Sequence, residues 1–466
     1  MTIRRARSLL AKHGQEQILD FWDRLDKPAR ASLLKQIAAL NFDDVTQMRD
    51  LLNQTQEAGV KRQPMEPAHV NDPVGEARDS ARFRGIQALR DGVVGVLLVA
   101  GGQGSRLGFE GPKGVYPVGP LSHAPLFYFH ARKVLALERR WKTRVPFYIM
   151  TSPSNDAETR AFFKVNDYFG LNPDRVIFFS QAMWPALDPE GRIILDAPDH
   201  IFLSPDGHGG TLTALDRQGC LEDMRQRGLT TIFYFQVDNP LVDIAAPAFI
   251  GHHLRECSDF SLKVCAKRDA NEGLGVVVER DGKIQIVEYT ELTTRQKRET
   301  TSDGELLYLY GSVAIHIFSV NFLTRLADVG LPLHIAHKRV PYCDADGKTV
   351  NPDKPNAYKF EKFIFDAMAE ARSCTCLAFE RSEEFSPIKN ASGDDSPATS
   401  RRDLSTKWAR WLIYAGVEVP LDEEGYAVNR IEIDPCYALD AAALRQRLEE
   451  EKPAIDPAAD ILLTDS

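Results

Sequence analysis

Two cations, Arg106 and Lys113, stand seven residues apart inside the glycine-rich stretch LLVAGGQGSRLGFEGPKG, Leu97 to Gly114. Glycines at 101, 102, 104 and 108 permit positive φ and let backbone amides approach a ligand closely. Amides and cations together suit a triphosphate, the amides cradling it while the cations neutralise the β- and γ-groups that leave as pyrophosphate. The same residues also fit a solvated turn with surface ion pairs. The G-x-G-x-x-G dinucleotide fingerprint is not met, since Leu107 stands where its last glycine belongs, and no Gly-Lys-Ser/Thr ends a Walker loop. A carboxylate, Asp238, closes the apolar run FYFQVDNP. At a strand end it can hold a divalent cation against a phosphate, or cap a following helix.

The elements that must carry these residues are legible from Val93 onward. Short apolar runs, VVGVLLVA, VPFYIMTS, RVIFFS, TIFYFQVDN and FSLKVCAK, alternate with helix-length stretches. That texture predicts a doubly wound α/β fold with a mostly parallel sheet, whose ligand crevice lies at the carboxyl ends of the strands. GLGVVVERDGKIQIVEYTEL reads as an inserted hairpin turning at Asp281-Gly282. Residues 1–70 read as helices, with Leu33, Leu34, Ile37 and Leu40 at helical spacing after a capping Ser32. Three prolines between Lys61 and Ala77 mark a linker or an extended crossing segment. Beyond Asn390, SGDDSPATSRR reads as a polar breaker before a helix around Trp408 to Tyr414 and a short α+β tail. The expected division is a helical domain and linker over 1–90, a catalytic domain over 91–385 and a C-terminal domain over 386–466.

The chain has 466 residues, 57 basic and 66 acidic, for a formal charge of -9. That balance argues against a nucleic-acid partner, so any phosphate must be met locally. Seven scattered cysteines without a C-x-x-C pair read as reduced and structural, and Cys374 and Cys376 lack the second pair a zinc site needs. No apolar run reaches the ~20 residues of a membrane span, and the basic N-terminus turns polar before a signal peptide could form. A cytoplasmic protein without a membrane partner is expected.

The segment AGGQGSRLGFEGPKG resembles the signature of the eukaryote-type UDP-N-acetylhexosamine and UDP-glucose pyrophosphorylase family. MTSPSNDAETRAFF, the stretch from FFSQAMWPALDPEGR to SPDGHGG, VDNPLVD, GVVVERDGKIQIVEYTEL, LPLHIAHKRVPY, PNAYKFEKFIFD and FSPIKNA resemble that family's blocks in the same order. They span about residues 95–400, and the UDP-N-acetylglucosamine pyrophosphorylases are the subgroup most resembled. The resemblance implies a Rossmann-like (GT-A-like) nucleotidyltransferase core that joins a sugar 1-phosphate to UTP, giving a UDP-sugar and diphosphate, with Mg2+ or alternatively Mn2+.

Carried over block by block, the resemblance makes Gly101, Gly102, Gln181, Pro205, Asp206 and Gly207 the nucleotide contacts. An amide such as that of Gln181 both donates and accepts, as the uracil edge requires. Arg106, Lys113 and Lys389 become the catalytic cations and Asp238 the metal ligand. His208, Asn239, Gly275, Glu288, Phe363 and Phe365 fall to the sugar, with Asn239 alternatively orienting Asp238. Two positions depart from the N-acetylglucosamine pattern. His208 replaces an asparagine and matches a histidine of the UDP-glucose enzymes, and Ile315 in GSVAIHIF replaces a second asparagine unless the alignment slips to His316. Glucose 1-phosphate, a broader sugar range, or a UDP-sugar binder without turnover are the competing readings.

Overall fold

The computed structural model describes residues 1–57, 65–72 and 75–465. By internal contacts the chain forms two compact units. One joins Met1–Pro64, Gln181–Thr213 and Gly330–Asp366, and the other Met65–Ser180, Ala214–Val329 and Ala367–Ser466.

The larger unit is built on a mixed sheet. Strands Val176–Ser180, Phe147–Thr151, Val94–Val99 and Thr231–Gln236 lie side by side in that order and run parallel. The residues of the last three are almost all buried, as expected for strands covered on both faces, while the edge strand Val176–Ser180 is only partly buried. In chain order this is third, second, first, fourth, so the sheet reverses its winding between Val94–Val99 and Thr231–Gln236. Open α/β sheets place ligands at that reversal, outside the carboxyl ends of the two strands. Each of the five apolar runs read from the sequence forms a strand, and the fifth, Phe260–Ala266, pairs antiparallel with Tyr310–Ser319 and parallel with Cys374–Ala378. Tyr310–Ser319 also joins Thr231–Gln236 antiparallel. The hairpin Val276–Arg280 with Lys283–Val287 turns at Asp281 (φ 52°) and Gly282 (φ 72°), as the Asp-Gly pair requires.

Two helix starts differ from the sequence reading. The helix over the Leu33 repeat runs from Lys27 to Ala39 and is capped by Asp26, whose carboxylate accepts from the Ala29 amide at 2.9 Å. Asp26 wins over Ser32 because Pro28 follows it, fixing φ in the first turn where no amide is needed. The C-terminal helix spans Pro397–Tyr414, so half of the polar breaker is helical. Ser396 and Thr399 form a capping box there, and Pro397 occupies the first turn. Within the proline-rich segment, residues 61–64 and 73–74 lie outside the described residues. The piece between them is extended: Glu66–Pro67 pairs with Val276–Arg280, and Asn71 bridges Leu377.

In the smaller unit the N-terminal helices share a core with residues far along the chain. Leu10, Ile37, Met48, Trp184, Leu187 and Phe360 are all buried in it.

Candidate active site

The glycine loop leaves Val94–Val99 and closes on itself, the Lys113 amide donating to the Gly102 carbonyl at 3.1 Å and the Gly104 amide to Gly111 at 3.0 Å. Its carbonyls are held from behind. Ser152 Oγ donates to the Gly101 carbonyl (2.8 Å), and the Asn155 amide to those of Ala100 (2.9 Å) and Gly102 (3.2 Å). Among the described residues no acceptor takes the amides of Gly101, Gly102 and Gln103. Successive free amides of this kind form an anion-binding concavity. A Cβ built on Gly102 meets nothing within 4 Å, so the space before it is open.

Lys113 crosses the sheet reversal to Asp238, Nζ to Oδ2 at 3.2 Å, with both side chains mostly sheltered. Arg106, in the turn Ser105–Leu107, is exposed and has no ion pair among the described residues. The segment bearing Asp238 is braced at nearly every carbonyl. His130 Nε2 bonds the Val237 carbonyl (2.9 Å), Lys133 donates to Pro240 and Val242 (2.8 Å), Lys407 to Leu241 (3.1 Å), and the Ile388 amide to Asp238 itself (2.9 Å). A carbonyl can only accept, so Nε2 carries the His130 proton. Burial, then the Lys133 charge, push the His130 pKa down to about 3. Burial, then Lys407, bring that of Lys133 down to about 7. None of these braces was apparent from the sequence. Their one signal was a histidine and a lysine three apart on one face of the apolar helix Leu126–Trp141.

Asn239 is 4% exposed and commits its amide to backbone: Nδ2 donates to the Glu384 carbonyl (2.7 Å), and Oδ1 accepts from Ser386 (3.1 Å). Together with the Asp238–Ile388 bond this brings the turn of Lys389 to the Asp238 segment. Lys389 Nζ lies 5.6 Å from the Phe385 ring centroid. Gly275 and Glu288 are neighbours, since a Cβ on Gly275 would stand 3.4 Å from Glu288 Oε1 and 2.7 Å from the Ile286 side chain. Ile315 is 1% exposed and packs in the main core. His316, also 1% exposed, lies between Tyr234 and Phe260, with ring centroids at 5.4 and 5.1 Å. Neither residue offers an accessible polar group in place of the asparagine.

The smaller unit gathers the remaining expected residues. Gln181 is 6% exposed, and Asp206, 2% exposed, donates its amide to the Ala182 carbonyl (3.1 Å). The turn Pro205-Asp206-Gly207 is sewn to Lys362, whose amide donates to the Asp206 carbonyl at 2.8 Å. Gly207 has φ 84°, and a Cβ there would lie 2.5 Å from the Lys362 carbonyl oxygen, so only glycine fits. The same contact sets His208 against Phe363 (stacked, 5.4 Å) and Phe365 (5.6 Å). His208 Nδ1 accepts from the Ile364 amide at 3.1 Å, and burial with the nearby His334 pushes its pKa down to about 4. Its ring is therefore neutral, with Nε2–H as the remaining donor. His334, which bonds Asp366 at 2.8 Å and packs on Phe363 at 4.4 Å, extends this cluster beyond the residues read from sequence.

Among the described residues no helix is long and apolar enough to cross a membrane. The family model described as UTP–glucose-1-phosphate uridylyltransferase matches residues 45–398. The human UDP-N-acetylhexosamine pyrophosphorylase-like protein 1 is 38% identical over 90% of this chain and 87% of its own. The UDP-N-acetylglucosamine pyrophosphorylase of Saccharomyces cerevisiae is 33% identical over 89% of this chain and 92% of its own. Among solved structures, the uridine diphosphate N-acetylglucosamine pyrophosphorylase of Trypanosoma brucei, in complex with inhibitor, superposes with TM-score 0.84 at 27% identity. That match covers 100% of this chain and 99% of that one.

Proposed function

Since the chain belongs to the UTP–glucose-1-phosphate uridylyltransferase family, we propose that it joins N-acetylglucosamine 1-phosphate to UTP, releasing diphosphate and UDP-N-acetylglucosamine. The choice of sugar is supported by relatives of 33–38% identity whose names carry N-acetylated sugars. The observation that carries the chemistry is the pairing of Lys113 with Asp238 beside the three free amides of Gly101–Gln103.

An oxygen of the sugar phosphate attacks the α-phosphorus of UTP in line. That P–O bond forms as the bond to the β-phosphate oxygen breaks, and diphosphate leaves. The attacking oxygen is already anionic, so neither a protein nucleophile nor a general base is required. The protein's contribution is alignment and charge stabilisation. The loop amides with Arg106 and Lys113 hold the departing phosphates, and Lys389 serves the α-phosphate or the incoming one. Gln181, Pro205, Asp206 and Gly207 contact the uridine. His208, Gly275, Glu288, Phe363 and Phe365 contact the sugar, while Asn239 orients Asp238. The family's chemistry uses a divalent metal, and Asp238 is the residue to hold it, as Mg2+ or alternatively Mn2+. One carboxylate suffices, because Mg2+ takes its other ligands from phosphates and water, and when bound it neutralises phosphate charge. A cytoplasmic setting, where UTP is available, completes the reading.

Purified protein with UTP, Mg2+ and a panel of sugar 1-phosphates is expected to release diphosphate fastest with the N-acetylglucosamine ester. No release with any sugar, alongside UDP-sugar binding, would make the protein a binder. His208 supports a second reading, glucose 1-phosphate, which fastest release with that ester would establish.

A further inference from the structure

Glu272 lies on the loop between Phe260–Ala266 and the hairpin that Gly275 introduces, and its side chain is only 5% exposed. Its carboxylate takes two arginines. Oε1 accepts from Arg268 Nε (3.1 Å) and from Arg381 (2.7 Å), and Oε2 accepts from the Arg268 amide (2.7 Å). Both arginines lead to Lys389. Arg268 reaches Asp395 at 3.0 Å, and the carbonyl of Asp395 accepts the amides of Lys389 (2.6 Å) and Asn390 (3.0 Å). Arg381 lies over the Phe385 ring at 5.1 Å, the ring that the Lys389 ammonium also approaches.

We infer that Glu272 is a positioning residue, a buried anion that fixes both the backbone and the aromatic seat of Lys389 and ties them to the loop of Gly275. A planar guanidinium held by a carboxylate is a directional part, since its fork fixes orientation as well as distance. Without the carboxylate two like charges face each other across the loop. Arg268 then keeps only its pairing with Asp394 and Asp395, its guanidinium loses the second anchor that fixes its angle, and the turn of Lys389 loosens from behind. The inference rests on the proposed role of Lys389.

The test is a double-mutant cycle scored by diphosphate release, with Glu272→Gln, Lys389→Ala and the pair, beside amide hydrogen exchange at Lys389 and Asn390. Glu272→Gln keeps the side chain's shape and is expected to lower kcat/KM for the sugar 1-phosphate roughly tenfold, with the KM for UTP unchanged. In the pair, Glu272→Gln is expected to add no further loss beyond Lys389→Ala, and in the single variant the two amides exchange faster. Arg268→Lys, which leaves Glu272 in place but removes the fork, gives the same signature if the glutamine variant folds poorly. Multiplying losses in the pair, or unchanged exchange at both amides, would overturn the inference. Normal turnover in Lys389→Ala alone strikes the reading of Lys389, and the exchange measurement then decides on Glu272 by itself.

Discussion

Lys113 and Asp238 meet at 3.2 Å although 125 residues separate them in the chain. Both residues are legible in the sequence from their settings, one in a glycine loop and one at a strand end, but the bond between them is not. The pair predicts unequal variants. Lys113→Ala removes a preorganised charge and is expected to cost about 10²–10³ in turnover, or about 2.7–4 kcal/mol in the transition state, while the fold survives. Arg106→Ala loses turnover without any change in stability, because its side chain is exposed. Asp238→Ala loses turnover together with its dependence on Mg2+. A magnesium titration unchanged from wild type would remove Asp238 from the metal role, and full turnover in Lys113→Ala would remove the lysine. His130, Lys133 and Lys407 were illegible for a physical reason. A buried polar side chain on a helix shows its purpose only when the carbonyl it serves is known, and those carbonyls lie more than 100 residues away.

At the level of elements, local signals are legible in the sequence and long-range grouping is not. Strand runs are periodic over five to seven residues, so each can be found without its partners. The joining of residues 181–213 and 330–366 with the N-terminal helices rests on a shared apolar core and on side-chain bonds that span the sequence. Examples are Gln15 Nε2 to the Gly191 carbonyl (3.0 Å) and the Ile201 amide to Gln36 Oε1 (2.8 Å). No window of sequence holds both ends of such a bond. The glycine loop shows the functional cost of missing these supports, because its shape depends on Asn155, 1% exposed at the start of the helix Asp156–Val165. In Asn155→Ala the carbonyls of Ala100 and Gly102 lose a buried donor, at a cost of about 1–3 kcal/mol. The loop amides then lose their alignment, so the KM for UTP is expected to rise more than that for the sugar phosphate. Equal KM values for UTP in wild type and variant would show that the loop holds its shape without Asn155.

For the molecule as a whole, the buried histidines set the response to acid. His130 is held down to about 3, and His208 and His253 to about 4, in each case mainly by burial, against 6.5 when exposed. The unfolded chain therefore binds their protons first as pH falls, while the folded chain resists. Their stabilising contribution is complete above pH 6.5 and shrinks through the interval down to pH 4–3. Each can remove up to about 1.4 kcal/mol per pH unit within that interval. The carboxylates with depressed values start from 3.8 in an aspartate such as Asp259, hydrogen-bonded to Arg325, and from 4.5 in a glutamate such as Glu451, and lose their contribution only below those values. A fall in the thermal midpoint between about pH 6.5 and 5 consequently reports the histidines. The midpoint is expected to drop steadily over that range, and less steeply in His130→Gln, whose amide can still donate to the Val237 carbonyl without gaining a proton. A midpoint that stays level to pH 5 and collapses only below 4 would assign acid sensitivity to the carboxylates instead.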